Sequence, residues 1–276
     1  MIYKFNPILR PMIWGSELWV LSGYGERISL VSDGPDAGKT VNEVYGKEFP
    51  LLIKFIDAHQ DLSIQVHPDE EMAQRVHGGH GKTEMWYVIG TQNGAHLYSG
   101  LSRSITPEQY VDLVEKNEIV SVLADHQLSP GDVFFLPAGR IHAICGGTYL
   151  AEIQQTSDLT YRIYDYGRKG PDGNPRALHT ELAKQAIDYK VYPEYRTKYE
   201  RKIGTEVCLE SCEYFTTSLL ELDGSYEGCV RDMQVVICME GSADVNGKPL
   251  GINETILLLD ESLHIEGSGK FLTVHI

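Results

Sequence analysis

Gly131-Asp132-Val133-Phe134-Phe135-Leu136-Pro137-Ala138-Gly139-Arg140-Ile141-His142 is the stretch on which the fold turns. Its first half is a short β-branched and aromatic run between turn formers, which predicts a strand. Working outward, residues 51–56, 85–89 and 255–259 are runs of the same kind, also flanked by turn formers. Val245-Asn246-Gly247-Lys248 predicts a hairpin turn, because Asn-Gly tolerates the positive φ that two-residue hairpins need. The expected class is mainly β, a sandwich or a barrel.

A few short helices are expected among the strands. Thr106-Pro107-Glu108-Gln109 combines an N-cap Thr, Pro at the first helical position and a capping-box Gln, which starts a helix running to residue 116. Residues 69–77 and 180–189 are the other two candidates. Residues 192–202 are polar, charged and without period, and the β pattern resumes near Thr205. This places a boundary near residue 195, between a large domain, 1–195, and a small all-β domain, 196–276. The stretch from Gly251 to Gly267 echoes Gly131 to Gly147 as a degenerate second copy.

The 276 residues are 42% hydrophobic and 23% charged, which excludes collagen-like and disordered classes. Lys+Arg 24 against Asp+Glu 39 gives a net charge of −15. Such a chain is a poor partner for nucleic acid or an anionic membrane. An anionic substrate would need a local cluster of positive charge to defeat that field. Five cysteines without a Cys-x-x-Cys pair argue against a disulfide scaffold or a zinc knuckle. The N-terminus lacks a signal-peptide apolar region, and the longest apolar runs, such as 235–239, are far short of a spanning helix. A soluble, reduced, cytoplasmic protein is expected.

In Ile64-Gln65-Val66-His67-Pro68, a strand would project Gln65 and His67 to one face. Glu84 stands immediately before the predicted strand 85–89. The opening stretch matches G-x5-P-x-G-x2-H, and so resembles the second motif of the cupin superfamily. Gln65, His67 and Glu84 resemble the first motif, with Gln where most cupins carry His. The resemblance implies a cupin (jelly-roll) β-barrel whose mouth gathers Gln65, His67, Glu84 and His142. Two imidazoles, one carboxylate and one neutral amide suit a divalent first-row metal with open positions, and Zn, Fe, Mn, Co and Ni all fit. The remaining histidines read as surface or satisfied groups. His264 has no Gln-x-His partner, so the tail domain is expected to be cupin-like without metal.

Four segments are more specific than a generic cupin: Pro11-Met12-Ile13-Trp14-Gly15, residues 61–68, Gly81-Lys82-Thr83-Glu84-Met85-Trp86, and residues 157–168. Together they resemble the type I phosphomannose isomerases in their short bacterial form. The resemblance implies one Zn2+ per chain held by Gln65, His67, Glu84 and His142. It also implies a catalytic arginine at Arg162 and functional groups at Lys82 and Asp158. Long members carry Asn-His-Lys-Pro-Glu where this chain has His80-Gly81-Lys82-Thr83-Glu84, and their helical insert is absent here.

The implied reaction interconverts mannose 6-phosphate and fructose 6-phosphate through a cis-enediol(ate), whose developing negative charge a Lewis acid stabilises. A base is required too. A positive metal site and partial burial disfavour an ammonium ion, which favours Lys82 over Asp158. Trp14 reads as a pocket wall or as core. The sugar phosphate needs cationic partners, for which Arg140, Arg168, Lys169 and Arg176 are candidates. The competing functions are an Fe or Mn cupin dioxygenase, which leaves Lys82 and Arg162 without a task, and a sugar-sensing cupin, which would need an output module.

Overall fold

The computed structural model describes residues 1–170 and 173–276. The chain divides into two compact units, Met1–Leu9 with Leu18–Phe55 and Thr197–Ile276, and Arg10–Glu17 with Ile56–Arg196. The sequence reading drew one boundary near 195. The contacts instead group most of the first 55 residues with the tail. The physical reason is a non-local pairing: strand Ile2–Lys4 lies antiparallel on Ile256–Leu258.

In the second unit, one sheet takes the order Tyr161–Tyr164, Ile64–Val66, His142–Ile144, His96–Leu101, Leu123–Gln127. Strands Val133–Leu136, Glu84–Thr91 and Thr148–Gln155 are neighbours in another sheet. Every pairing of known register in these two groups is antiparallel, as the cupin resemblance implies. Alternation decides which side chains go where. Ile64, Val66, Ala143, Tyr161 and Ile163 point to one side, into a cluster completed by residues of the helices. Leu97, Ile144, Trp86, Phe134 and Leu136 point to the other, into a core between the sheets that also holds Trp14. Trp14 is 4% exposed, so packing is its role. Gln65, His142 and Arg162 therefore share the inner face by default.

The helices follow their start signals. Helix Pro107–Glu115 begins with the expected reciprocal capping box of Thr106 and Gln109. Helix Glu70–His77 is capped by Asp69, and the third is Thr180–Ala186. A further helix, Val41–Tyr45, carries a capping box of Thr40 and Glu43. None of the helices among the described residues is long and apolar enough to cross a membrane.

In the first unit, segment 265–275 pairs with both 216–226 and 234–245. These strands enclose a core that includes Leu220, Val236, Ile256, Leu258, Leu263 and Phe271. Asn246 and Gly247 have φ of 51° and 84° between the paired Val245 and Lys248, which is the two-residue hairpin the sequence signals. All five cysteines are free thiols.

Candidate metal centre and active site

Three adjacent strands set one row of the site. Gln65 pairs with His142 on one side and with Arg162 on the other. Directly paired residues project to the same face, so an amide, an imidazole and a guanidinium stand side by side. Gly139 makes the approach to His142 possible. Its φ is +88°, and a Cβ there would lie 2.9 Å from the Ala186 carbonyl oxygen. Its N–H donates to the His67 carbonyl at 2.9 Å, which ties the turn to the other histidine. Glu84 enters from the facing sheet, where it pairs with Leu136 and Gln154.

The side chains converge. One ligand atom from each of His67, Glu84 and His142 lies within 4.8 Å of the others, and all three residues are buried. Glu84 Oε1 is 3.3 Å from His142 Nε2, and Oε2 is 3.7 Å from His67 Nε2. The Gln65 amide reaches His142 Nε2 at 3.3 Å, and a half-turn of that amide presents its oxygen instead. Each histidine is held from behind. His67 Nδ1–H donates to the Leu159 carbonyl and His142 Nδ1–H to the Arg140 carbonyl, both at 2.8 Å. A carbonyl can only accept, so both neutral rings turn a bare Nε2 inward. Burial first, then the charge on Lys82, pushes the His142 pKa down to about 3.

Lys82 belongs to this cluster. It is 3% exposed, and its Nζ donates to Glu84 Oε2, to His67 Nε2 at 3.1 Å and to Glu152 Oε1 at 3.5 Å. One ammonium against two carboxylates leaves a negative pocket lined by nitrogen and oxygen lone pairs. That donor set fits a divalent cation.

Arg162 is half-buried. Its Nη1 donates to the Ala177 carbonyl at 3.1 Å, while its buried Nε has no partner among the described residues. Asp158 is exposed, and its ion-pair partner is Arg10 at 3.9 Å. The structure thus brings Lys82 into the ligand cluster and leaves Asp158 at the surface. Of the phosphate candidates, Arg140 is 8% exposed and stacked 4.7 Å from both the Tyr192 and Tyr195 rings, so its cation is already engaged. Lys169 is exposed. Arg168 and Arg176 both grip Asp165 at 2.5 Å. Both sit close enough to depress the Arg162 pKa by repulsion, behind burial as the main cause. Three guanidiniums against one carboxylate make a local positive excess. A cavity of about 430 Å³ lined by Gln60, Asp61, Tyr166 and Arg168 adjoins this group.

The family model for the catalytic domain of type I phosphomannose isomerase matches residues 34–129, which include Gln65, His67, Lys82 and Glu84. A probable mannose-6-phosphate isomerase of Bacillus subtilis, GmuF, is 34% identical over 250 residues, 79% of each chain. The chain belongs to the type I phosphomannose isomerases. A crystal structure of mannose 6-phosphate isomerase from Bacillus subtilis superposes with a TM-score of 0.91 at 29% identity, over 100% of this chain and 99% of that one. A zinc-bound mannose 6-phosphate isomerase shares the fold, with a TM-score of 0.78 at 14% identity over 99% of both chains. As a member of this family, the chain is an isomerase.

Sequence reasoning missed Glu152 in this isomerase site. It is 3% exposed, and its Oε2 accepts the Trp86 indole N–H at 2.8 Å. The available signal was a carboxylate within Tyr149-Leu150-Ala151-Glu152-Ile153-Gln154, a run otherwise suited to burial. A charge there needs a buried partner. His77 and His80 stay outside the cluster, bound to Tyr161 Oη at 2.9 Å and to Glu70 at 2.8 Å.

Proposed function

We propose that this chain interconverts mannose 6-phosphate and fructose 6-phosphate through a cis-enediol(ate), with one Zn2+ held by Gln65, His67, Glu84 and His142. The observation that carries the proposal is the pair of imidazoles pinned at Nδ1, whose bare Nε2 atoms meet Glu84. When bound, zinc supplies Lewis-acid stabilisation of negative charge on the sugar's O1 and O2.

The remaining work belongs to the protein. Lys82, buried against the ligand set, carries the proton between C2 and C1. Arg162 stabilises the enediolate oxygens, in keeping with its place beside Gln65 and an Nε without a partner among the described residues. Arg168 and Arg176, two guanidiniums against the one Asp165 carboxylate, hold the 6-phosphate in a chain whose net charge is −15. Asp158 is the alternative base, and its exposure ranks it second.

The test is a coupled assay of mannose 6-phosphate consumption, with glucose 6-phosphate as comparison. Turnover of the mannose ester alone, abolished by a chelator and restored by Zn2+, is expected. Turnover of neither ester by zinc-loaded protein sinks the proposal.

A further inference from the structure

Strand Tyr161–Tyr164 is the edge of its sheet, with Ile64–Val66 on its inner side. An edge strand leaves a row of N–H and C=O groups without ladder partners. At Arg162 both groups are taken by one residue. His179 N–H donates to the Arg162 carbonyl at 2.8 Å, and Arg162 N–H donates to His179 Nδ1 at 3.0 Å. This reproduces the exchange of two bonds in an antiparallel pair, with an imidazole nitrogen standing in for the carbonyl. Two residues earlier, the Ala177 carbonyl accepts from Arg162 Nη1 at 3.1 Å. One short segment therefore grips Arg162 at its peptide and at its guanidinium.

The position gives something up for this. His179 is the N-cap of helix Thr180–Ala186, yet its side chain makes no capping bond. Ser, Thr, Asp or Asn would cap the helix better. The imidazole acceptor is spent on Arg162 instead.

We infer that His179 is a positioning residue for Arg162, its neutral ring holding the Arg162 peptide, and through it the guanidinium, in the geometry the reaction uses. The inference rests on the assignment of Arg162 to enediolate stabilisation. An acceptor at Nδ1 requires a neutral ring with its proton on Nε2. Protonation would set a donor against the Arg162 N–H and open the clamp. The charged and titratable groups around the ring are Arg162 and Tyr161 on the edge strand and His77 on helix Glu70–His77, while its own helix carries Glu181 in the first turn. Burial, then the charges of Arg162 and His77, lower the His179 pKa. The clamp is closed at neutral pH and opens on acidification below about 6.5, the ordinary histidine value.

The experiment compares His179→Ala, His179→Asn, Arg162→Ala and the His179→Ala/Arg162→Ala double variant, all zinc-loaded, with mannose 6-phosphate. His179→Ala should lower kcat by about ten- to a hundredfold, the scale of a small misplacement of a catalytic group, with KM little changed. His179→Asn, whose Oδ1 can accept in place of Nδ1, should recover most of that loss. It should also lack the part of the acid limb of kcat that the wild type owes to His179. In the Arg162→Ala background, His179→Ala should cost nothing further. Independently of activity, 15N NMR of the imidazole should show Nδ1 bare and Nε2 protonated. An unchanged kcat in His179→Ala, losses that multiply in the double variant, or a proton on Nδ1 would each overturn the inference. An unchanged kcat in Arg162→Ala would instead overturn the assignment of Arg162 itself, leaving the NMR result to judge the contact.

Discussion

Lys82 Nζ lies 3.5 Å from Glu152 Oε1, and that carboxylate is itself pinned by the Trp86 indole. The pair has a consequence for activity. Glu152→Gln keeps the bond to Trp86 but removes the second of the two carboxylate charges that hold Lys82, Glu84 being the other. A buried charge-assisted contact contributes about 1.5–3 kcal/mol. The variant should therefore lose roughly ten- to a hundredfold in kcat while binding metal at wild-type stoichiometry. Loss of metal in parallel with activity would show Glu152 to act on the ligand set rather than on Lys82.

Metal retention should rank the ligands. Dialysis of the proposed zinc enzyme against a strong chelator should abolish turnover, and Zn2+ should restore it. His67→Ala and His142→Ala should lose metal more readily than Gln65→Ala, because an imidazole binds more tightly than a neutral amide. Elemental analysis should find one equivalent per chain, since His67, Glu84 and His142 form the one such cluster among the described residues. Full activity in metal-free protein would end the zinc proposal.

The buried His142 makes the metal-free protein acid-sensitive. Burial holds its folded pKa at about 3, against an ordinary value of 6.5. Between those limits the unfolded chain binds the extra proton, so stability rises with pH and levels off above 6.5. One proton corresponds to at most about 1.4 kcal/mol per pH unit. Melting temperatures of chelated protein should fall as pH drops through this window, more steeply than in His142→Asn. Equal slopes would remove His142 as the source.

What was legible in the sequence was local. Period-two alternation placed Gln65 and His67 on one face, and the resemblance of Pro137-Ala138-Gly139-Arg140-Ile141-His142 to a cupin motif implied that His142 joins them. The Thr106 capping box was readable because its bonds span three residues. Glu152 was legible only as a charge inside a run suited to burial; its partners Lys82 and Trp86 are sequence-distant, so nothing local named them. The same holds for residues 2–4, whose partners lie beyond 250. Thr40-Val41-Asn42-Glu43 is different: its capping box was in plain view, but only a five-residue helix follows, too short for apolar periodicity to announce it.

Arg168 and Arg176 should behave as binding groups. Each pairs with Asp165, so neither needs to meet the reacting carbons. Arg168→Ala or Arg176→Ala should raise KM for mannose 6-phosphate with kcat nearly intact, the pattern of uniform binding. Raising ionic strength should mimic the effect in the wild type, as screening weakens exposed charge pairs. An unchanged KM in both variants would place the phosphate elsewhere.

Arg162 and Lys82 should part company with those clamps. If Arg162 acts on the enediolate, Arg162→Ala should lower kcat far more than it raises KM, since the contact is realised only in the transition state. The loss should be on the order of 10²–10³, by analogy with oxyanion donors. Arg162→Lys should also be poor, because an ammonium cannot reproduce the planar two-pronged donor, and it would leave Ala177 and the sugar competing for one centre. Lys82→Ala should stop exchange of the C2 proton with solvent while substrate still binds. Removing that ammonium takes a cation from beside Glu84 and His67, so zinc affinity should hold or rise rather than fall. A rise in KM with kcat intact in both variants would make the two residues phosphate clamps, and the proton transfer would then pass to Asp158.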